Sequence, residues 1–374
     1  MKPVYISRKL YRFSQPLVEK LNMYYNADSN FWAGTWFISR PRYGSWSVWD
    51  MAPEPAAQGP ALIVNDALTF ESVTDQRSAD LLAAQRREQC RVAVLWSGGI
   101  DSTVALAALI KNWGAADLAQ VDVVMNANSY YENPVFYDQA IKKNNIRTIS
   151  INDLYQNPCR NHIITDGEPA DKLWLVKIAL NYARAHGGES LRENWILAQH
   201  KLVAFFRGKF QTQQQCEQYF ELIADNIRTT GAPVENVGDW FWWINYNWHW
   251  AGHLWYNYIM LPTKGPAELD LYRRRYHAWF NSHAYQQWSF GAEGRESKHF
   301  DSIKYYKWPA KTYINSVVDN PYYMEFKTKN ASTTRYNGID IYNTNPVAVF
   351  NDGSVMNSTD PEQIQQFIDS YLLI

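Results

Sequence analysis

The sequence predicts an α/β fold: a parallel sheet with helices on both faces, then a helical region, with a small β-containing extension in front. Three observations carry this reading. The apolar run Val92–Trp96 stops at Ser97-Gly98-Gly99 and passes into an Ala/Leu/Ile-rich segment of helical spacing, 103–113. Short apolar runs recur at 121–126 (VDVVMN), 146–151 (IRTISI) and 162–165 (HIIT), separated by helix-like stretches. Strands alternating with helices imply parallel pairing and right-handed crossovers. Beyond Ser190 the composition turns helical.

Taken in order, residues 1–88 read as an accessory region of unknown role. Within it, 30–49 looks β-like, with turn residues at Gly34, Pro41 and Gly44. Residues 51–60, rich in Ala and Pro, resemble a linker. Residues 61–70 suggest a strand and 72–88 an amphipathic helix. The α/β core spans 89–188. In it Asn133-Pro134 marks a helix start running to Lys143, and Asp166-Gly167-Glu168 leads into a helix reaching Ala185, closed by Gly187-Gly188. A helical part, 189–335, holds expected helices at 194–206, 211–229, 267–282 and 310–318, plus the aromatic segment 239–260. The remainder, 336–374, reads as a hairpin around Asn351-Asp352-Gly353 and a capped helix over 360–373.

Composition narrows the function. At 374 residues the chain can bury a large core, as two domains or one with a substantial extension. A formal net charge of −1 offers no electrostatic case for general nucleic-acid binding. The one basic cluster, Arg273-Arg274-Arg275, reads as a solvated helix face. Cys90, Cys159 and Cys216 lack CxxC or metal-like spacing, which suits a reducing cytoplasm and argues against a cysteine zinc site. No apolar leader follows Met1, so a cytoplasmic location is expected. The Trp-rich segment is interrupted by Asp239, Asn245, Asn247, His249, His253 and Asn257, where a membrane span needs about 20 apolar residues. It reads as aromatic core.

The chemistry concentrates at strand ends. A buried strand, a glycine turn and a helix N-terminus leave several backbone N–H groups pointing one way, at the positive end of the helix dipole. That is an anion site suited to phosphate, and Gly98 and Gly99 let the backbone come close. A tight βα turn would account for the two glycines alone, but not for Ser97, Asp101 and Ser102 at fixed offsets. Neither GxxxxGK[ST] nor GxGxxG is present here. The loop after residue 165 also lies at a strand's carboxyl end, where parallel sheets bind ligands. Both loops can therefore face one site.

Ser97-Gly98-Gly99-Ile100-Asp101-Ser102 matches the SGGxDS loop of the PP-loop ATP pyrophosphatases, which have a HUP-like α/β core and cleave ATP between the α- and β-phosphates. Gly167-Glu168-Pro169-Ala170-Asp171-Lys172 resembles the GEGADE loop of asparagine synthetases, with Pro169 and Lys172 departing from it. Pro169 suits the first turn of a helix. Lys172 removes one carboxylate, which puts the family's amine chemistry in doubt. The stretch 311–332 is similar to that family's C-terminal lysine patch, with Lys327 at an arginine position and Lys329 at the lysine; an exposed Lys-rich loop explains it equally well. The resemblance covers roughly residues 90–335.

It implies an ATP-dependent ligase that adenylates a small-molecule or peptide carboxylate and forms an amide with ammonia or an amine. Ser97, Gly98, Gly99, Asp101, Ser102 and Gly167 would bind the nucleotide, with adenine near Leu95 and Met125. Asp101 and Asp171 would hold Mg²⁺, Glu168 would act as base and Lys329 would stabilise charge at the α-phosphate. The family's glutaminase uses an N-terminal cysteine; Lys2 stands in its place and no cysteine precedes Cys90. Ammonia would then come from a separate source, or the substrate would carry its own amine. Two alternatives stay open: a PP-loop enzyme modifying a nucleobase, and a noncatalytic ATP-binding module. The missing CxxC pairs weaken the first, and only Pro169 and Lys172 support the second.

Overall fold

The computed structural model describes residues 3–6, 65–155, 161–174, 177–209, 213–230, 233–244, 266–299, 302–327, 348–350, 354–356, 360, 362–363 and 366. The β-like stretch at 30–49, the linker at 51–60 and most of the helix expected at 360–373 lie outside them. The chain forms two compact units: residues 63–175 with 270–340, and residues 1–62 with 176–269 and 341–374.

The first unit holds the predicted parallel sheet. Its strands are β1 (Arg91–Leu95), β2 (Val121–Val124), β3 (Arg147–Ile149) and β4 (His162–Thr165), in the order β3-β2-β1-β4. All pairings are parallel, with Val94 opposite Val123 on one side and Thr165 on the other. β2 is buried along its whole length, as strands covered on both faces are. Helix α1 (Phe70–Glu88) belongs to this unit, and its start is set by a capping box between Thr69 and Ser72. Phe70 is therefore the first helical residue and not the end of a strand.

Helix α2 (Ile100–Asn112) packs against α1, β1 and a later helix, and Val104 to Leu109 are inaccessible to solvent. The expected helix over 166–185 is broken. It forms α3 (Ala170–Leu173) and a separate helix, Lys177–His186. Trp174 is extended between them, with its ring among Phe70, Phe280 and Trp288. Burial of that indole outweighs helix continuation. The helix expected over 267–282 likewise stops at Arg275. Residues 276–280 instead run beside β4, where Tyr276 bridges Ile164 and His277 N–H donates to the Ile164 carbonyl at 2.8 Å. Of the basic cluster expected to be a solvated face, Arg274 is exposed, while Arg273 and Arg275 keep only 16% and 14% side-chain exposure and Arg275 pairs with Glu88 at 3.1 Å.

The second unit contains a small antiparallel sheet of Pro3–Ile6, Ala348–Phe350 and Val355–Met356. The last two strands are the predicted hairpin. Its aromatic helix Val237–Ile244 is wholly buried, with Trp240 stacked on Phe220 at 5.0 Å. That part of the Trp-rich segment is core. No helix among the described residues is long and apolar enough to cross a membrane.

One ionic cluster spans all four strands at the sheet's amino edge. Buried Asp122 on β2 accepts two bonds from Arg91 (2.7 and 2.8 Å) and two from Arg147 (both 2.6 Å), and contacts His162 Nε2 at 2.9 Å. Burial alone would raise its carboxyl, but His162, Arg147 and Arg91 hold it far below the usual carboxylate range. A carboxyl depressed in the folded state adds stability above its unfolded value and loses it as pH falls. Asp122→Ala should cost about 3–5 kcal/mol at pH 7 by stranding buried charge. In urea melts between pH 7 and pH 3 that deficit should shrink with acid; a deficit constant with pH would refute the ionic account.

Candidate active site

The site is built where the chain leaves β1. Trp96 N–H donates to the Val124 carbonyl at 3.0 Å, the last tie to the sheet before the turn. Gly98 then takes φ +77°, and a Cβ there would lie 2.6 Å from the Glu132 Cβ, so glycine is required on two counts. The two serines brace the turn from inside. Ser97 N–H donates to Ser102 Oγ at 3.0 Å, the two hydroxyls lie 3.0 Å apart, and Gly99 N–H donates to Ser97 Oγ. Gly99 caps α2 with no side-chain bond to its first turn.

The second loop follows β4, next to β1. Thr165 Oγ1 donates to the His277 carbonyl, Trp279 N–H to the Asp166 carbonyl and Phe280 N–H to the Glu168 carbonyl. Residues 277–280 thus strap the loop from outside. Arg77 on α1 fixes the strap, donating to the carbonyls of Ala278 and Trp279 at 3.0 Å each. Inside the loop, Asp166 accepts from Glu168 N–H at 3.0 Å and from the Tyr276 hydroxyl at 2.5 Å. Burial and the Asp166 charge push that phenol well above its ordinary value, so it stays a donor. Pro169 precedes α3 as its cap residue, one position before the first turn where the sequence placed it.

The two loops touch through their backbones. A Cβ on Gly167 would lie 2.5 Å from Ser102 N and 2.7 Å from the Asp101 Cβ. Between them sits a lysine that the motif reading did not assign. Lys307 Nζ donates to both oxygens of Asp101, at 2.6 and 2.7 Å, and to Asp171 Oδ1 at 2.8 Å. Its side chain is 2% exposed and lies over the Trp174 ring at 5.3 Å. Burial alone would lower the ammonium, yet Asp101, Tyr306 and Glu168 carry it above its ordinary value. A sequence signal existed. Pro309 near the start of the helix Trp308–Val317 makes Lys307 the cap residue, in left-handed conformation at φ 54°. A cation at a helix N-terminus opposes both cap preference and dipole, the kind of local conflict that functional positions carry.

The structure therefore brings Ser97, Gly98, Gly99, Asp101, Ser102, Gly167, Glu168 and Asp171 to two adjoining loops on neighbouring strands. Met125 lines a cavity of about 550 Å³ at the carboxyl ends of β2 and β3; Leu95 is not among its walls. Lys329 lies outside the described residues, while Lys327 is buried and paired with Glu132, on the helix that closes over Gly98. Among the described residues no group of three or more His, Cys, Asp or Glu side chains is arranged to hold a metal. Asp101 and Asp171 keep 28% and 27% of their side chains exposed, so they fit a Mg²⁺ ion that arrives with phosphates and takes only one or two protein oxygens.

Comparisons with protein-family models, with curated proteins and with solved structures return no match for this chain.

Lys307→Met should remove about 3–5 kcal/mol at pH 7, because it leaves two carboxylates facing each other without a cation. One of them would then hold its proton to higher pH in the folded state than in the unfolded one. Stability should be regained as pH falls from 7 to 5, which thermal unfolding at the two values measures. A loss that grows with acid would contradict this geometry.

Proposed function

We propose that the chain is an ATP-dependent, AMP-forming ligase that adenylates a carboxylate and passes it to ammonia or an amine. The observation that carries this reading is the backbone contact of Gly167 with Asp101 and Ser102 around Lys307. It unites two loops that separately resemble the SGGxDS and GEGADE motifs.

On this reading the N–H groups of the Ser97–Ser102 turn bind the β- and γ-phosphates, and the positive end of the α2 dipole attracts their charge. A carboxylate oxygen of the substrate attacks the α-phosphorus, the bond to the bridging oxygen breaks, and pyrophosphate leaves into the turn. The amine then adds to the acyl carbon, AMP leaves, and Glu168 takes the released proton. Mg²⁺, held by Asp101 and Asp171, supplies charge neutralisation on the phosphates when bound. Lys307 fixes those two carboxylates beforehand, so little reorganisation is needed. Lys329 retains the role its motif implies, adding positive charge at the α-phosphate. The acceptor is a small-molecule or peptide carboxylate, and the ammonia source is a separate supply or the substrate's own amine.

The decisive assay incubates the full chain with Mg²⁺, ATP and a library of carboxylic acids. AMP and pyrophosphate are the expected products, and Asp101→Asn should cut their release at least about a hundredfold, the scale for losing one placed electrostatic group. ADP and phosphate would exclude cleavage at the α-phosphorus. ATP bound but never consumed would favour the noncatalytic module, and modified nucleosides lost on gene deletion would favour nucleobase chemistry.

A further inference from the structure

The cavity at the ends of β2 and β3 has two kinds of wall. Met125, Ala127 and Ile149 are apolar, and Tyr130 and Tyr137 add aromatic rings in a T-shaped pair 5.2 Å apart. Asn126, Thr148, Ser150 and Asp153 supply polar atoms. Planar apolar faces with a few polar groups are the usual recognition surface for a heterocyclic base.

Asp153 stands out by how it is held. Ser150 N–H and Ser150 Oγ both donate to its Oδ2, at 2.9 and 2.8 Å, and Asp153 N–H donates back to Ser150 Oγ at 3.2 Å. This reciprocal cap fixes the carboxylate's orientation. The Ser150 bonds also hold the carboxyl below its usual value, so it remains an acceptor. Oδ1 carries no hydrogen bond among the described residues. The side chain thus offers one anchored, solvent-exposed anionic acceptor on the wall of this open cavity.

Its place in the sheet suits the far end of a nucleotide. The phosphate turn follows β1, while Asp153 follows β3, two strands away in the order β3-β2-β1-β4. Two strand spacings amount to about 10 Å. With phosphates over β1, the ribose falls over β2 and the outer edge of the base over β3.

Building on the ATP reading above, we infer that Asp153 selects the base, its Oδ1 accepting a hydrogen bond from the exocyclic 6-amino group of adenine. A purine with a 6-oxo group places an acceptor against that carboxylate and is disfavoured. Asn is close to isosteric here: its amide oxygen can keep both Ser150 bonds, which leaves the amide nitrogen as a donor in the cavity. The substitution therefore exchanges acceptor for donor at one atom.

The test is equilibrium binding of ATP, ITP and N6,N6-dimethyl-ATP to the full chain, wild type and Asp153→Asn. Wild type should bind ATP about tenfold or more tighter than either analogue, the scale of one hydrogen bond to a charged acceptor. Asp153→Asn should weaken ATP by a similar factor and strengthen ITP, narrowing or reversing the ratio. The dimethyl analogue needs no variant, so the inference stands testable even if the substitution impairs folding. Equal wild-type binding of all three nucleotides, or a ratio unmoved by Asp153→Asn, would overturn this role while leaving the ligase reading intact. Failure of wild type to bind any of them would overturn both.

Discussion

An ammonium group removed from water needs its charge compensated, and at Lys307 two carboxylates do so and organise the carboxyl edge of the sheet. Asp101 comes from the start of α2 and Asp171 from α3, so one cation joins the loops after β1 and β4. Those strands are neighbours in space but first and last in the sheet's chain order. The chain leaves β1 toward β2 and β3, then returns to β1's other side as β4. The crevice opened by such a reversal is where open α/β sheets bind their ligands. Trp174 closes the arrangement: its ring covers Lys307, and its burial among Phe70, Phe280 and Trp288 is what ends α3.

Much of the first unit was legible because its signals are local. Apolar runs at 92–96, 121–124 and 162–165 became strands, and the Ser97–Ser102 pattern became the turn with the expected glycine conformation. What was missed depends on contacts distant in sequence. Tyr276 to Phe280 has no strand-like alternation; it leaves the helix and turns beside β4 because that edge strand and the second loop offer carbonyls. The breaks at Trp174 and Arg275 reflect aromatic and ionic burial that no helical period encodes. Lys307 was hidden for another reason. Lys329 lies inside a motif-like patch, whereas the cue at Lys307 is a lysine placed where helix physics disfavours one.

The two edges of the sheet divide the work. At the amino edge, Asp122 takes bonds from residues of the other three strands, which pins their register. A one-residue slip of any strand would break that cluster and move its apolar side chains to the opposite face. The carboxyl edge is free of that task, and its surroundings hold left-handed conformations at Gly98 and Lys307. Strain at one end is tolerable because register is held from the other.

Charge at the carboxyl edge also limits what can enter. Asp101, Asp171 and Glu168 bear on the Lys307 ammonium, while Lys327 is paired with Glu132. These carboxylates place negative charge beside the turn that the ATP reading assigns to the phosphates. On that reading this charge opposes a bare polyphosphate, and the dipole of α2 contributes only about half a unit charge. On the ATP reading the phosphates must bring a divalent cation with them, and the part-exposed oxygens of Asp101 and Asp171 meet it. Under that reading the same charge favours the ion-paired nucleotide over free phosphate.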